Sequence, residues 1–445
     1  MKQRLPGPRT PGAVLGLARR LNSDARQTLL DMADTYGPVI DFGRGRYHYI
    51  YLLSVEANEH ILSTDPSNFT WHDAFQVLVP VNGETALVVS DGVEHLRRRR
   101  IVQPAFHMRR ISGYLDVMVE ETNRVIDQWQ IGSTVDAYSD LRLAIRRIVL
   151  RCLFGDSLGD RDSELAGHLE VALAYVNRPP TQRFDWNLPG MPYRRAMKAR
   201  RAVDAIVFEE IKRRRSLDDR GDDIISWLIA DQAAGDGLSD QEARDQVVSL
   251  VAAGYDTTAA AMGWAAAELS ASPDRTEQIR TELRQTGAGS TLTIEQISQL
   301  TYTNAFIKEV LRLHPPAIWS GRRVVNDFQL HGETIPAGSM VLFSPHVTQH
   351  DPRHFPDPST FRPERWIDGH PEEDQPPPYA YVPFGGGNRR CLGFAFATQE
   401  LIVMTALLAH RTDPELVGPG PQRHVGTMSS APDGGTLIRI TNKRN

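Results

Sequence analysis

The chain has 445 residues, of which 41% are hydrophobic, and a formal net charge of −5 at pH 7. This length and composition predict one large domain over residues 1–445, with an interior deep enough to bury a prosthetic group. The net charge gives no case for nucleic-acid binding, and two cysteines far apart in the chain exclude a disulfide framework.

The N-terminal segment carries no sign of a transmembrane anchor. Residues 1–21 contain prolines and basic residues but no apolar run near the ~20 residues that a membrane span requires. We therefore expect a soluble protein. The two separated cysteines predict the reducing cytoplasm as its location, and we expect a monomer. Further along, Val39–Phe42 and Tyr47–Leu53 are rich in alternating β-branched or aromatic residues, which predicts an early hairpin in a small sheet.

Helical periodicity dominates the segment Asp91–Arg215, with interruptions at proline-rich stretches. Its first helix contains four consecutive arginines. Such a run is normally a solvated or partner-binding face, which is our interpretation of three of them, Arg97, Arg98 and Arg100. His95 and Arg99 stand apart because a spacing of four places them on one face of the helix.

The longest predicted helix runs from Ser239 to about Ser270. Ser239 and Glu242 form a capping-box pattern that marks its start. The helix is mostly apolar and is therefore expected to be buried. Asp256 and Thr257 interrupt this apolar interior, and burying such polar groups without a purpose is costly.

Around these two residues the sequence reads Ala253-Gly254-Tyr255-Asp256-Thr257. Gly254 removes a side chain where a flat ligand can approach, and Thr257 lies one turn after Ala253 on the same face. A threonine hydroxyl can bond back to a preceding carbonyl and open the helix locally, which leaves room for a small molecule or water. A helix kink or a solvated polar patch is the alternative interpretation.

A further acid–base pair lies in the predicted helix Thr303–His314. Glu309 and Arg312 are three residues apart, a spacing that is common on helix surfaces and says little alone. About fifty residues later, Arg365 follows within the segment Phe361–Trp366.

Strand patterns return towards the C-terminus. Val324–Phe343 alternates around glycine turns and predicts a hairpin, and the tail Thr427–Ile440 predicts another. Helices in the middle of the chain with short strands near both ends predict a mainly α fold with small β-sheets.

The most specific motif is the glycine-dense decapeptide Phe384–Gly393, which contains Cys391. Glycines allow tight turns and bring backbone N–H groups close to a ligand. We expect a helix from Leu392 to about Ala409, whose positive end lowers the pKa of Cys391 and favours a metal-bound thiolate. A structural turn with a buried cysteine is one alternative; a phosphate-binding loop is the other, although the preceding strand and lysine are absent.

The decapeptide resembles the haem-ligand loop of cytochromes P450 and matches its five fixed positions, Phe384, Gly387, Arg389, Cys391 and Gly393. The segment 253–257 is similar to the oxygen-activation motif of that family. Residues 309–312 with 361–366 resemble its buried Glu-Arg-Arg network, and residues 95–99 resemble its propionate-binding pair. Four motifs in family order imply the P450 fold, haem b (iron protoporphyrin IX) as cofactor and the insertion of one oxygen atom from O2 into a substrate.

The resemblance also implies roles for single residues. Cys391 is expected to be the axial ligand of the haem iron, Thr257 to orient oxygen and water, and Asp256 to relay protons. The remaining haem contacts are expected from Phe384, Ala253 and Gly254, and at the propionates from His95, Arg99, Arg389 and either Arg322 or Arg323. The network that locks the Cys391 loop is expected to consist of Glu309, Arg312 and Arg365.

Electrons are expected from a separate ferredoxin or flavodoxin with its NAD(P)H reductase, since the roughly fifty residues after Cys391 leave no room for a flavin domain. Exposed cations near the loop predict a docking patch for such an acidic partner, formed by Arg97, Arg98, Arg100 and Arg390.

By family position, the substrate pocket draws on Phe75, Val251, Ala252, Ala317, Ile318, Trp319 and Met428. Their apolar character predicts a hydrophobic small molecule, such as a terpenoid, fatty acid or polyketide, with no charged anchor. A haem-thiolate peroxygenase or isomerase and a non-catalytic haem sensor are the alternative functions. The Asp256–Thr257 pair argues against both, because neither function calls for that pair.

Overall fold

The computed structural model describes residues 4–159, 161–178, 182–217, 221–230, 237–289, 291–367, 376–421, 423–426 and 429–444. Helices predominate, as predicted. They are α1 (Pro11–Ser23), α2 (Ala25–Tyr36), α3 (Val55–Glu59), α4 (His72–Phe75), α5 (Val79–Asn82), α6 (Gly92–Val102), α7 (Met108–Ile111), α8 (Leu115–Gln128), α9 (Ala137–Phe154), α10 (Arg161–Val176), α11 (Pro192–Arg215), α12 (Ile224–Leu228), α13 (Asp240–Ser270), α14 (Pro273–Gln285), α15 (Ile294–Ser298), α16 (Thr301–Leu313), α17 (Pro345–Gln349) and α18 (Phe394–Arg411).

The strands are short and form four small sheets. They are β1 (Val39–Phe42), β2 (Tyr49–Leu52), β3 (Phe69–Thr70), β4 (Thr134–Asp136), β5 (Ser320–Val324), β6 (Phe328–Leu330), β7 (Glu333–Ile335), β8 (Met340–Phe343), β9 (Thr412–Leu416), β10 (His424–Val425), β11 (Ala431–Pro432) and β12 (Leu437–Lys443). The largest sheet has the order β1-β2-β8-β5-β3, and a second has the order β4-β12-β9. The pairs β6–β7 and β10–β11 complete the set.

Two predicted hairpins are confirmed and one is wrong. β1 and β2 pair antiparallel, and β6 and β7 pair antiparallel on either side of His331 and Gly332, both of which have positive φ. The hairpin predicted over Thr427–Ile440 is wrong in its strands, because β11 pairs antiparallel with β10, which precedes that range, and β12 pairs with β4 and β9. This pairing buries Ile438 and Ile440 against the helical core.

The long central helix α13 begins and ends where its sequence predicts. Ser239 accepts a hydrogen bond from the Glu242 backbone N–H, and the Glu242 carboxylate accepts one from the Ser239 N–H. This reciprocal cap satisfies two backbone donors that a helix start otherwise leaves unpaired. α13 packs against α9 and α18 and is buried along most of its length.

The main apolar core lies among the helices, and two smaller apolar clusters lie beneath the five-stranded sheet and beside α1 and α2. α18 belongs to the main core and is buried along most of its length. The loop before α18 therefore faces α13 across the protein interior. Among the helices in the described ranges, none is both long and apolar enough to cross a bilayer.

Candidate active site

Two glycines in the loop before α18 have a left-handed backbone, and one of them has no room for a side chain. Gly385 and Gly387 have φ of 65° and 58°, and a Cβ on Gly387 would lie 1.9 Å from the carbonyl oxygen of Leu62. The Cys391 N–H donates to the Phe384 carbonyl at 2.9 Å and closes the loop. The Cys391 side chain is thereby exposed to a cavity of about 1500 Å3 inside the protein.

The expected helical environment of Cys391 needs correction. α18 starts at Phe394 with Gly393 as its cap, two residues later than predicted, so Cys391 lies ahead of the helix. Burial raises the pKa of the thiol, against the opposing effects of the Gly393 N–H and of Arg99 and Arg390. The prediction of a lowered pKa is therefore wrong for the protein alone, and a coordinated metal is what deprotonates such a thiol.

α13 forms the wall of the cavity with one helical face. Leu250, Ala253, Gly254, Thr257 and Ala261 line it, at the spacing of three and four residues that one face requires. The Thr257 hydroxyl donates to the Ala253 carbonyl at 2.6 Å, which leaves its oxygen lone pairs available to the cavity.

The same helical periodicity shows that two of the residues predicted to line the substrate pocket do not do so. Val251 and Ala252 are packed into the main core and do not line the cavity, because they point away from the face that carries Thr257. Leu250 takes their place.

Four other predicted pocket residues line the cavity, namely Phe75, Ala317, Ile318 and Trp319. Met428 lies outside the described residues.

Asp256 lies beside this face and does not line the cavity. Its carboxylate accepts from Arg142 on α9 at 3.0 Å, and its side chain is 24% exposed. Its backbone carbonyl accepts from the Ser429 hydroxyl at 3.0 Å. The acid of the pair is therefore partly exposed beside Thr257, which faces the cavity.

The residues expected to bind the haem propionates are basic and lie together at one edge of the cavity. Arg322 and Arg389 line the cavity, while His95 and Arg99 lie outside its wall within electrostatic reach of Arg389. Asp91 is the acid that compensates them, and Arg389 donates to it at 2.6 Å.

Burial first, and an excess of positive charge second, lower the pKa values at this edge. Burial and the neighbouring Arg389 and Arg99 lower the pKa of His95 to about 4. Burial also lowers the pKa of Arg389 to about 10 and that of Arg322 well below its usual value, and in each case a nearby arginine adds to the effect. Two further carboxylates at this edge would offset the excess.

The strand register separates Arg322 from Arg323. On β5, Arg322 is buried in the cavity wall with its guanidinium 3.5 Å from the Trp71 ring centroid. Arg323 points to the other side, where it binds Asp73 at 2.8 Å and the Gly338 carbonyl at 2.8 Å. The structure thus favours Arg322 as the cavity-facing cation.

Glu309 is the centre of a buried network. Arg312 donates to both of its oxygens, at 2.8 and 2.9 Å, and Arg365 donates at 3.0 Å. Trp366 Nε1 and the Arg362 backbone N–H also donate to this carboxylate, at 2.8 and 3.0 Å. These last two contacts were not anticipated, although both residues flank Arg365 in the sequence.

The predicted docking patch needs partial correction. Arg97 and Arg98 both bind Glu242 at the start of α13, with 2.8 Å between Arg98 Nε and Glu242, and both also bind Glu94, so two carboxylates compensate these two charges. Arg390 is exposed and lies 3.8 Å from the Phe394 ring centroid. Arg100 is exposed as well.

Sequence reasoning missed a second group of cations, and the expectation of a pocket without a charged residue is wrong. Arg19, Arg44 and Arg183 line the cavity in addition to Arg322 and Arg389. They come from a helix and two loops that share no motif, so only the folded chain brings them together.

The residues present fit a haem. A thiol exposed to a large cavity, a glycine-opened helix that lines the same cavity and an under-compensated cationic edge match a flat metal complex that carries two carboxylates.

Comparisons with known proteins agree with this fit. Residues 6–420 match the sequence model of cytochrome P450. The P450 139 protein of Mycobacterium tuberculosis is 37% identical, over 89% of this chain and 92% of that protein. A cyclooctat-9-en-7-ol 5-monooxygenase of Streptomyces melanosporofaciens is 33% identical, over 73% of this chain and 72% of that protein.

Among solved structures, retinoic acid-bound cyanobacterial CYP120A1 superimposes with a TM-score of 0.82 at 26% identity, covering 93% of both chains. The chain therefore belongs to the cytochrome P450 family, whose members bind haem.

Proposed function

We propose that this cytochrome P450 monooxygenase oxidises a hydrophobic terpenoid, fatty acid or polyketide-like molecule. The observation that carries the proposal is the single cavity of about 1500 Å3 that Cys391 and Thr257 share and that apolar side chains largely line. Two relatives support the terpenoid class: the Streptomyces cyclooctat-9-en-7-ol 5-monooxygenase and the cyclooctatin synthase of the same organism, each 33% identical. The match to the family over residues 6–420 supports a single domain across residues 1–445.

Cys391 would hold the haem iron through its sulfur. Arg322 and Arg389 would bind the haem carboxylates, and His95 and Arg99 would add positive charge outside the cavity wall. The haem ring would contact Phe384, Ala253 and Gly254. Bound haem supplies the activation of O2, and its thiolate ligand favours O–O cleavage.

The chain itself delivers protons from the solvent. The Thr257 hydroxyl, fixed by its bond to Ala253, orients water or oxygen in the cavity with its free lone pairs. Asp256 takes protons from the solvent side, where Arg142 holds its carboxylate, and passes them to the threonine.

Electrons come from a separate redox partner, as in other members of the family. A ferredoxin or flavodoxin with an NAD(P)H reductase is the partner we propose. Arg100 and Arg390 are exposed near the Cys391 loop and suit an acidic docking surface. Replacing both with glutamine should slow reduction more at low salt than at high salt; a salt-independent rate would remove the docking proposal.

The experiment that tests the proposed function is a screen of the ferric holoenzyme against a library of terpenoids, fatty acids and polyketides for a low-to-high-spin shift. Molecules that shift the spin state are then incubated with 18O2, NADPH, ferredoxin and its reductase. One labelled oxygen atom in the product supports the proposal. Product formed only with hydrogen peroxide would favour a peroxygenase, and binding without any product would favour a haem sensor.

A further inference from the structure

The cavity wall carries more positive charge than haem binding accounts for. Arg19, Arg44 and Arg183 line it, although they belong to elements other than those that hold Cys391 and Thr257. Among the cavity-lining residues in the described ranges, Asp73 is the single acid, and it already binds Arg323 at 2.8 Å. The net charge of the cavity wall is therefore positive.

Arg183 is the cation whose surroundings most require a ligand. It is half-buried, and its Nε is fully enclosed without an acceptor. In the described part of the chain no carboxylate forms a direct ion pair with it, although Asp185 lies within electrostatic reach. Its neighbour Asp185 accepts instead from the Tyr175 hydroxyl at 2.5 Å. A buried guanidinium N–H without a partner is costly, and a guanidinium keeps its charge at all accessible pH values.

Three tyrosines, Tyr175, Tyr49 and Tyr47, lie within electrostatic reach of Arg183, together with the carboxylate of Asp185. Tyr47 and Tyr49 both line the cavity, and Tyr49 is partly buried. Burial raises the pKa of Tyr49, so that its hydroxyl stays protonated and can donate a hydrogen bond at neutral pH. A guanidinium with phenolic donors beside it suits a planar oxyanion.

We infer that Arg183, with Tyr49, forms an anion-binding subsite that takes the carboxylate of an amphipathic substrate while its apolar body extends towards Cys391 and Thr257. The inference rests on the proposed function and narrows it: preferred substrates carry a carboxylate at the end remote from the oxidised carbon. Arg183 is then a specificity-determining residue that touches the substrate.

The test compares ligands that differ only in charge. Isothermal titration calorimetry of the holoenzyme gives the Kd of dodecanoic acid and 1-dodecanol, and of hexadecanoic acid and 1-hexadecanol, for wild type and three variants. In wild type we expect at least one acid to bind about tenfold more tightly than its alcohol. In Arg183→Gln this ratio falls to about one through weaker acid binding, whereas Arg183→Lys retains part of it.

Arg194→Gln is the matched control, because Arg194 is an exposed arginine near the start of α11 that does not line the cavity. The control should keep the wild-type ratio. Equal Kd values for acid and alcohol in wild type, no binding of either acid, or an unchanged ratio in Arg183→Gln would each overturn the subsite. These binding measurements do not depend on turnover. The subsite can therefore be disproved while 18O incorporation still supports the monooxygenase, and it can be supported while 18O incorporation is absent.

Discussion

Arg142 and Asp256 form an ion pair in which Nη2 and Oδ1 are 3.0 Å apart. The pair ties the acid beside Thr257 to α9 and keeps its carboxylate out of the cavity wall. Arg142 also binds Glu170 at 3.2 Å, so it would keep a partner without Asp256. The proton route proposed above requires the Asp256 carboxylate to leave Arg142 and move towards Thr257.

Replacing Asp256 should slow turnover without weakening substrate binding. In Asp256→Asn we expect kcat to fall by about a hundredfold, because the amide cannot carry a proton, while the spin-shift Kd stays within twofold. The matched control is Glu170→Gln, which removes the other partner of Arg142. Steady-state kinetics decides, and a kcat near the wild-type value in Asp256→Asn would contradict the relay.

Thr257 should control the coupling of NADPH oxidation to product. Thr257→Ala removes the hydroxyl that donates to Ala253, so oxygen is reduced to hydrogen peroxide and product per NADPH falls by about tenfold. Thr257→Ser keeps the hydroxyl and should retain most of the coupling. The ratio of peroxide to product measures the effect; full coupling in the alanine variant would count against the role of Thr257.

Glu309 should be needed for stability and haem retention. Glu309→Gln leaves Arg312 buried without a charged partner, and we expect a loss of about 3–5 kcal/mol in the free energy of unfolding. Glu277→Gln breaks an exposed ion pair with Arg284 and should cost less than about 1 kcal/mol. Urea unfolding and haem content per chain report both variants, and equal costs would refute the buried network.

A buried histidine should make the protein sensitive to acid. Burial, with Arg26 next in importance, lowers the pKa of His350 from 6.5 to about 3. Between pH 6.5 and 3 the unfolded chain takes up a proton that the folded chain does not, so stability falls with decreasing pH by about 1.4 kcal/mol per unit for this group and is unaffected above pH 6.5.

His350→Asn should make this dependence shallower by that amount, since asparagine can keep the donation to the His346 carbonyl. Urea unfolding at several pH values measures the slope. An identical slope in the variant would show that His350 is charged in the folded state.

Motifs with a fixed local geometry were predictable from the sequence. The capping box of α13 depends on Ser239 and Glu242 alone. The left-handed backbone of Gly387 is predictable because glycine is the residue type that adopts it most readily. Contacts made across long sequence separations were not predictable. Arg97 and Arg98 looked solvent-exposed because Glu242, their partner, lies about 145 residues later. Arg183 escaped notice because Tyr49, which lines the same cavity, lies more than a hundred residues earlier in the chain.

Helical periodicity and burial explain the remaining differences between the predicted and the observed site. Val251 and Ala252 precede Ala253 directly, but a helix places residues 250, 253 and 257 on one face, so proximity in sequence was the wrong guide. The pKa of Cys391 depends on burial by the whole fold, which a local helix start does not reveal.

The central claim is that Cys391 is the haem ligand, and the absorption spectrum of the reduced, CO-bound holoprotein tests it most directly. Wild type and the control Cys152→Ala, which alters the buried cysteine of the core, should show the strongly red-shifted Soret band of thiolate ligation, and Cys391→Ala should lack it. The same band in Cys391→Ala as in wild type would contradict the account.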